Sequence, residues 1–313
     1  MSRSKPSSNA LAFLVGPTGV GKSRLALELA ERAGAAILSM DSMQVYRGMD
    51  VGTAKPGEAE RARVPHHLLD RADPPERYDV RRYLEDAETA LVEIEGRGLR
   101  PLFVGGTGFY LKALVYGLLE GPAADEGLRA VLRGRIVAEG VGSLYRELGS
   151  VDPVSAQRIH PHDRRRVIRA LEVYHGSGRA LSSWQREWGW DGSPPPGRAR
   201  RIVGLALETN ELDRRIRERT RAMLDSGWAD EARRIRDGVG FGPTSSQALG
   251  YREVLELADG RSSRAGTEDL ISLRTRQFAR RQRTWFRHFP EIRWIHADDP
   301  SRAEIALNAL AVP

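Results

Sequence analysis

The chain has 313 residues, 40% of them hydrophobic, which is enough for one large domain carrying a smaller one. It contains no cysteine, so disulfides, thiolate zinc sites and a cysteine nucleophile are excluded. Its formal charge of +7 at pH 7 points to a polyanionic partner, and the clusters Arg164–Arg166 with Arg169, Arg214 to Arg221, and Arg274 to Arg287 could line a basic surface. The alternative is solvated helix faces paired with nearby Glu and Asp, and both readings stay open at this stage.

Residues 1–10 are polar and are expected to form a disordered leader. The apolar run behind them, Leu11 to Val15, is too short for a signal peptide or membrane span, which leaves a cytoplasmic location as the default. That run reads as a strand, and Gly16-Pro17-Thr18-Gly19-Val20-Gly21-Lys22-Ser23 follows at once, a P-loop pattern opening a helix over Lys22 to Ala33. The glycines let backbone N–H groups turn inward around a diphosphate, Lys22 adds a point charge, and Ser23 can reach a Mg²⁺. Such a loop recognises phosphates and not what they are attached to, so ATP and other diphosphates remain open.

Ala35 to Met40 reads as a second buried strand, ending at Asp41-Ser42-Met43-Gln44. In an open parallel sheet ligands meet the carboxyl ends of the strands, so Asp41 is expected in the same crevice as the P-loop. A carboxylate there can hold Mg²⁺ through water, accept a proton from a substrate, or merely cap a helix. Tyr46 to Pro75 is irregular; its His66-His67 pair lacks metal-ligand spacing and reads as structural or substrate-facing. Helical spacing returns over Tyr78 to Glu95. A third strand, Pro101 to Val104, runs into Gly105-Gly106-Thr107-Gly108, with a helix from about Phe109. Most P-loop hydrolases place an acid for Mg²⁺ at such a strand end; here stand backbone amides and a hydroxyl, a hint against nucleotide hydrolysis.

From Asp125 to about Trp190 the pattern is helical, with Trp184, Trp188 and Trp190 spaced for a small core rather than base stacking. After the connector Gly192 to Gly197, Arg201 to Leu207 reads as a strand. Helices follow over Glu211 to Asp225, Trp228 to Asp237, Gln247 to Leu257 and Thr267 to His288, and then a short strand near Ile292 to Ile295. The expected fold is α/β: a P-loop NTPase-like parallel sheet flanked by helices over 11–121 and 198–313, with a helical insertion domain over 122–197.

Five segments in order, GPTGVGKS at 16–23, MDSMQVYRGMDVGTAKP at 40–56, VGGTGFYLKAL at 104–114, HPHDRRRVIRALEVY at 160–174 and QALGYRE at 247–253, closely resemble tRNA dimethylallyltransferases, also called tRNA isopentenyltransferases. The resemblance implies transfer of a dimethylallyl group from dimethylallyl diphosphate to N6 of the adenosine just 3′ of the anticodon, with diphosphate released. By similarity, Gly16 to Ser23 bind the diphosphate, Asp41 acts as general base, Thr107 contacts the diphosphate, and Ser23 is the expected neighbour of Mg²⁺. The family's tRNA-contacting segments match Asp41, Ser42, Met43 and Gln44; Arg165, Arg166, Val167, Ile168 and Arg169; and Gln247, Ala248, Leu249, Gly250, Tyr251 and Arg252, with single contacts at Thr107 and Arg129. The insertion would hold the anticodon stem-loop, and a monomer with no membrane partner is expected. Some relatives carry a zinc-binding extension, for which this chain offers no thiolate.

Three rivals share part of this pattern. An adenylate dimethylallyltransferase acting on free AMP or ATP would need the P-loop, Asp41 and Thr107, but neither the insertion nor the run Arg165 to Arg169. A small-molecule kinase accounts for the P-loop alone. A non-catalytic RNA-binding module accounts for the charge and leaves the P-loop idle.

Overall fold

The computed structural model describes residues 11–118, 121–122, 124–187 and 200–310, and they fall into two units, one within 1–115 and 196–313 and the other within 116–195. The leader, the connector at 192–197, Trp188 and Trp190 lie outside the described residues.

In the first unit, β1 (Leu11–Val15) and α1 (Lys22–Ala33) are joined by the glycine-rich loop, and Gly34 ends α1 in the left-handed conformation with its N–H on Ala30. Next comes β2 (Ala35–Met40), whose six residues are all buried, as both faces of a parallel strand are covered. The irregular stretch after it holds α2 (Glu58–Arg63) and the two-residue edge strand β3 (His66–His67). Asp79 caps α3 (Val80–Gly96) by accepting from the amides of Arg81 and Arg82. The strand β4 (Arg100–Gly105) leads into α4 (Gly108–Tyr116).

The regular elements described in the second unit are all helices: α5 (Glu126–Glu139), α6 (Val141–Val151), α7 (Pro153–Arg158), α8 (Arg164–Ser177) and α9 (Leu181–Glu187). Its core gathers Leu132, Leu144, Leu148, Val167 and Leu171, with Trp184 packed against it and the Arg179 guanidinium 4.5 Å over the Trp184 ring. The side chain of Asp152 caps α7 at Ser155 and also accepts the Ser182 amide, tying the start of α7 to α9.

Back in the first unit stand β5 (Arg200–Ala206), α10 (Thr209–Asp225), α11 (Trp228–Asp237), a 3₁₀ turn at Ser245–Gln247, α12 (Tyr251–Ala258), α13 (Arg264–Phe286), β6 (Arg293–His296) and α14 (Arg302–Leu310). All six strands pair in parallel, in the order β3-β2-β4-β1-β5-β6. Phe13 and Phe103 stack across β1 and β4 with centroids 5.1 Å apart. This order sets the carboxyl ends of β1, β2 and β4 side by side, and these are the three ends carrying the P-loop, Asp41 and Thr107.

Two expectations need correction. The segment from Gln247 is not one helix, because Gly250 turns left-handed (φ 92°) and α12 begins only at Tyr251. The stretch 46–75 is less irregular than its Pro and Gly content implies, since α2 and β3 lie within it. Among the described residues no helix is long and apolar enough to cross a membrane.

Candidate active site

The phosphate-type loop is shaped by three glycines with positive φ. At Gly16 (φ +149°) a Cβ would stand 2.8 Å from the Leu205 carbonyl oxygen, so nothing larger fits between β1 and β5. Gly19 and Gly21 (φ +83° and +99°) then curl the chain into the first turn of α1, whose positive dipole end faces the loop. Lys22 Nζ donates to the carbonyls of Gly16 at 2.9 Å and Pro17 at 2.8 Å. Burial pulls its pKa down to about 7, and Arg219 pushes the same way while Asp41 opposes.

Arg219 comes from α10, and its Nη1 donates to Thr18 Oγ1 at 3.3 Å. Burial lowers its pKa too, again opposed by Asp41. Neither Lys22 nor Arg219 forms an ion pair with a carboxylate among the described residues, so the loop faces two cations without a bonded counterion. Such an arrangement has the chemistry to receive an anion. Elsewhere in the Arg214 to Arg221 series the salt-bridged reading holds, with Arg214 on Glu211 and Glu218, Arg215 on Asp298, Arg217 on Asp269 and Arg221 on Glu268. Arg219 went unassigned in the sequence, yet a signal was present: it lies two turns after Leu212 and one after Ile216, half-buried beside the apolar stripe of α10.

Asp41 follows β2 and does not cap a helix. Its Oδ1 accepts from the amides of Met43 (2.8 Å) and Gln44 (3.4 Å), a local turn that fixes the carboxyl and leaves Oδ2 without a hydrogen bond within the described residues. Thr107 lies beside it: its Oγ1 accepts the Ser42 amide at 3.3 Å and its N–H donates to Met40 O at 3.2 Å. The Gln44 amide points inward, accepting from Ser39 Oγ and donating to the carbonyls of Thr53 and Ala54.

Two cavities open here, of about 560 Å³ and about 410 Å³. Both are bordered by Thr18, Asp41, Thr53, Arg219, Phe278 and Gln282. The larger continues past Ser42, Met43, Thr107, Gln247 to Gly250 and Arg252; the smaller holds Lys22, Ser23, Gln44 and the β4 end at Gly105–Gly106. Asp41 therefore stands where the two spaces meet. His66 borders the smaller cavity with Nδ1 2.8 Å from Val64 O, and burial lowers its pKa and favours the neutral ring.

The wall of the larger cavity rests on residues that the sequence did not single out. Glu231 accepts the backbone N–H groups of Asp50, Val51 and Gly52 and the Tyr251 hydroxyl, all between 2.7 and 3.0 Å. Trp228 fills the space beside Gly52 and Gly250, where a Cβ would meet its ring at 2.1 Å in each case. Tyr251 is thus sealed behind the wall with its pKa raised by burial, and Gln247 Nε2 donates to Pro243 O.

The remaining predicted tRNA residues belong to the second unit. Arg129 and Arg169 both bind the buried Glu172, at 3.0 and 2.8 Å, and Arg129 also binds Glu126. Arg165 and Arg166 are exposed, Ile168 is half-buried, and the side chain of Val167 is sealed in the core. Val167 and Tyr251 can therefore act on a ligand only through backbone or neighbours.

Among the described residues no group of three His, Asp or Glu is placed to hold a metal. The exposed Ser23 hydroxyl lines the smaller cavity together with the Asp41 carboxylate, too few protein donors for a Mg²⁺ unless bound phosphate oxygens and water complete its shell.

Comparison with known proteins gives a consistent picture. A family model described as IPP transferase matches residues 44–289, and one described as isopentenyl transferase matches residues 9–72. A tRNA dimethylallyltransferase of Geobacter metallireducens is 44% identical over 287 residues, covering 91% of this chain and 92% of that protein, and one of Deinococcus radiodurans is 45% identical over 305 residues, covering 96% and 95%. The crystal structure of a tRNA isopentenylpyrophosphate transferase from Bacillus halodurans aligns with a TM-score of 0.68 at 35% identity, covering 96% of this chain and 95% of that one. A eukaryotic dimethylallyltransferase acting on tRNA aligns at 0.76 and 27% identity, covering 94% and 75%. Sequence and fold agree: this chain belongs to the IPP transferase family, the tRNA dimethylallyltransferases.

Proposed function

We propose that the protein transfers a dimethylallyl group from dimethylallyl diphosphate to N6 of the adenosine just 3′ of the anticodon in tRNA, releasing diphosphate. The observation that carries this reading is the position of Asp41 and Thr18 on the border of both cavities, one bearing the phosphate loop and the other the 247–252 turn.

The donor's diphosphate lies in the Gly16 to Ser23 loop, with Lys22, Arg219 and Thr107 around it. As the allylic C1–O bond breaks, negative charge grows on the leaving diphosphate, and the loop amides and the two cations stabilise it in place. Ser23 together with the diphosphate oxygens would hold Mg²⁺, which supplies further neutralisation of that charge. The adenine enters through the larger cavity, extruded from the anticodon loop because a stacked base cannot reach a buried donor. Its exocyclic amine is a weak nucleophile, since the lone pair is delocalised into the ring. The Asp41 carboxylate accepts a hydrogen bond from N6, aims it at C1, and takes the proton that alkylation releases. No phosphoryl group moves, so ATP is not consumed.

Arg129 and Arg165 to Arg169 in the helical unit, and Gln247 to Arg252 in the first, hold the anticodon stem-loop. The protein acts as a monomer. Incubating it with Mg²⁺ and either dimethylallyl diphosphate or ATP, and with unmodified tRNA, AMP or no acceptor, tests the whole reading by mass spectrometry of the nucleosides. Alkylated adenosine in tRNA alone is expected; alkylated AMP in place of tRNA, or ATP consumption without the prenyl donor, overturns it.

A further inference from the structure

Gln282 has no part in the proposed reaction, yet it borders both cavities and bonds to two loops of the site. It is buried on α13, and its carboxamide bonds in two directions: Oε1 accepts the Thr18 N–H at 2.9 Å, and Nε2 donates to the Gly106 carbonyl at 2.9 Å. One side chain thus bridges the phosphate loop after β1 and the loop after β4 that carries Thr107, from a helix 264 residues beyond the first and 176 beyond the second. The approach is close enough to dictate its neighbour, because a Cβ at Gly106 would stand 2.3 Å from Nε2. The bridge also withdraws the Thr18 amide from the set that can point at a ligand, and so selects which loop amides face the anion.

We infer that Gln282 is a positioning residue that sets the spacing between the two loops gripping the donor diphosphate. This rests on the reading that the diphosphate lies between the Gly16 to Ser23 loop and Thr107. Both loops end strands of one sheet; the Thr107 N–H ties the loop after β4 to Met40 of β2, and the carboxamide cross-links that same loop to the phosphate loop with one donor and one acceptor. A carboxylate cannot replace it, since the Gly106 carbonyl needs a donor. The same helix contributes Phe278 and Arg281 to the larger cavity, so the acceptor wall and the donor clamp share one rigid element.

Steady-state kinetics on Gln282→Met, which keeps length and loses both hydrogen bonds, and on Gln282→Glu tests the inference, with inorganic diphosphate as inhibitor against dimethylallyl diphosphate. A KM for the donor and an inhibition constant for diphosphate both raised about tenfold are expected, with kcat lowered some 10- to 100-fold and the KM for tRNA within about twofold of wild type. Thermal melting of each variant shows how much is fold stability alone. If active-site titration accounts for all lost activity and both donor constants stay at wild-type values, the inference is overturned.

A second variant pair tests the contact itself. Gly106→Ala should impair the wild type but add nothing to Gln282→Ala, which vacates the space the methyl group needs; independent, multiplying penalties overturn the inference. Should diphosphate not compete with the donor even in wild type, the placement of the donor fails and the inference with it, an outcome distinct from both variant results.

Discussion

Asp41 is held by two backbone amides through a single oxygen, which leaves the other oxygen for chemistry. Asp41→Asn preserves that turn and removes the base, so single-turnover transfer should slow by about two to four orders of magnitude while tRNA affinity, measured by filter binding, changes little. Lys22 gives a pH signature. With its pKa near 7 in the free protein, the ammonium is already formed below that pH and donor affinity is flat. Above it, binding an anion must draw in a proton, so the donor dissociation constant should rise by up to about tenfold per pH unit. Calorimetry in buffers of differing ionisation enthalpy reads that proton uptake directly, and Lys22→Arg, which does not deprotonate, should abolish this limb. Glu231 is a purely supporting group; Glu231→Ala leaves three backbone amides facing an apolar wall and should cost about 3 kcal/mol or more in denaturant unfolding.

At the scale of elements, legibility followed the strength of the local signal. The strands ending at Val15, Met40 and Gly105 were plain in the sequence because buried parallel strands are short apolar runs bounded by Gly or Asp. What stayed hidden depends on contacts distant in sequence. Nothing local marks His66–His67 as a strand, since it exists only by pairing with β2. Gln282 sits in a polar, arginine-rich helix, and its role appears only when that helix meets two loops far away. The turn at 247–250 misled for a similar reason: its composition is helical, but Trp228 from α11 leaves no room for a side chain at Gly250. Gly250→Ala, strained both by φ and by the ring, should therefore destabilise the fold by about 1–3 kcal/mol and raise the KM for tRNA more than that for the donor.

For the whole molecule, the division of labour between the two units makes a prediction of its own. On the proposed reading, donor binding is confined to the first unit, whereas tRNA binding also draws on the exposed Arg165 and Arg166 of α8. Replacing Arg165 and Arg166 together by alanine should weaken tRNA affinity and flatten its salt dependence by about one to two counterions, with the donor KM unchanged.

The pair of cations at Lys22 and Arg219 has an implication for how this protein spends its time between turnovers. Charges that lack a resident partner attract small dianions, so on the proposed reading inorganic phosphate competes with the donor for the cradle. Electrostatics then secures occupancy but not identity, and telling a prenyl ester from inorganic phosphate falls to the carbon-lined walls of the cavities. Melting temperatures in phosphate should accordingly exceed those in a chloride solution of equal ionic strength, and Arg219→Ala should erase the difference.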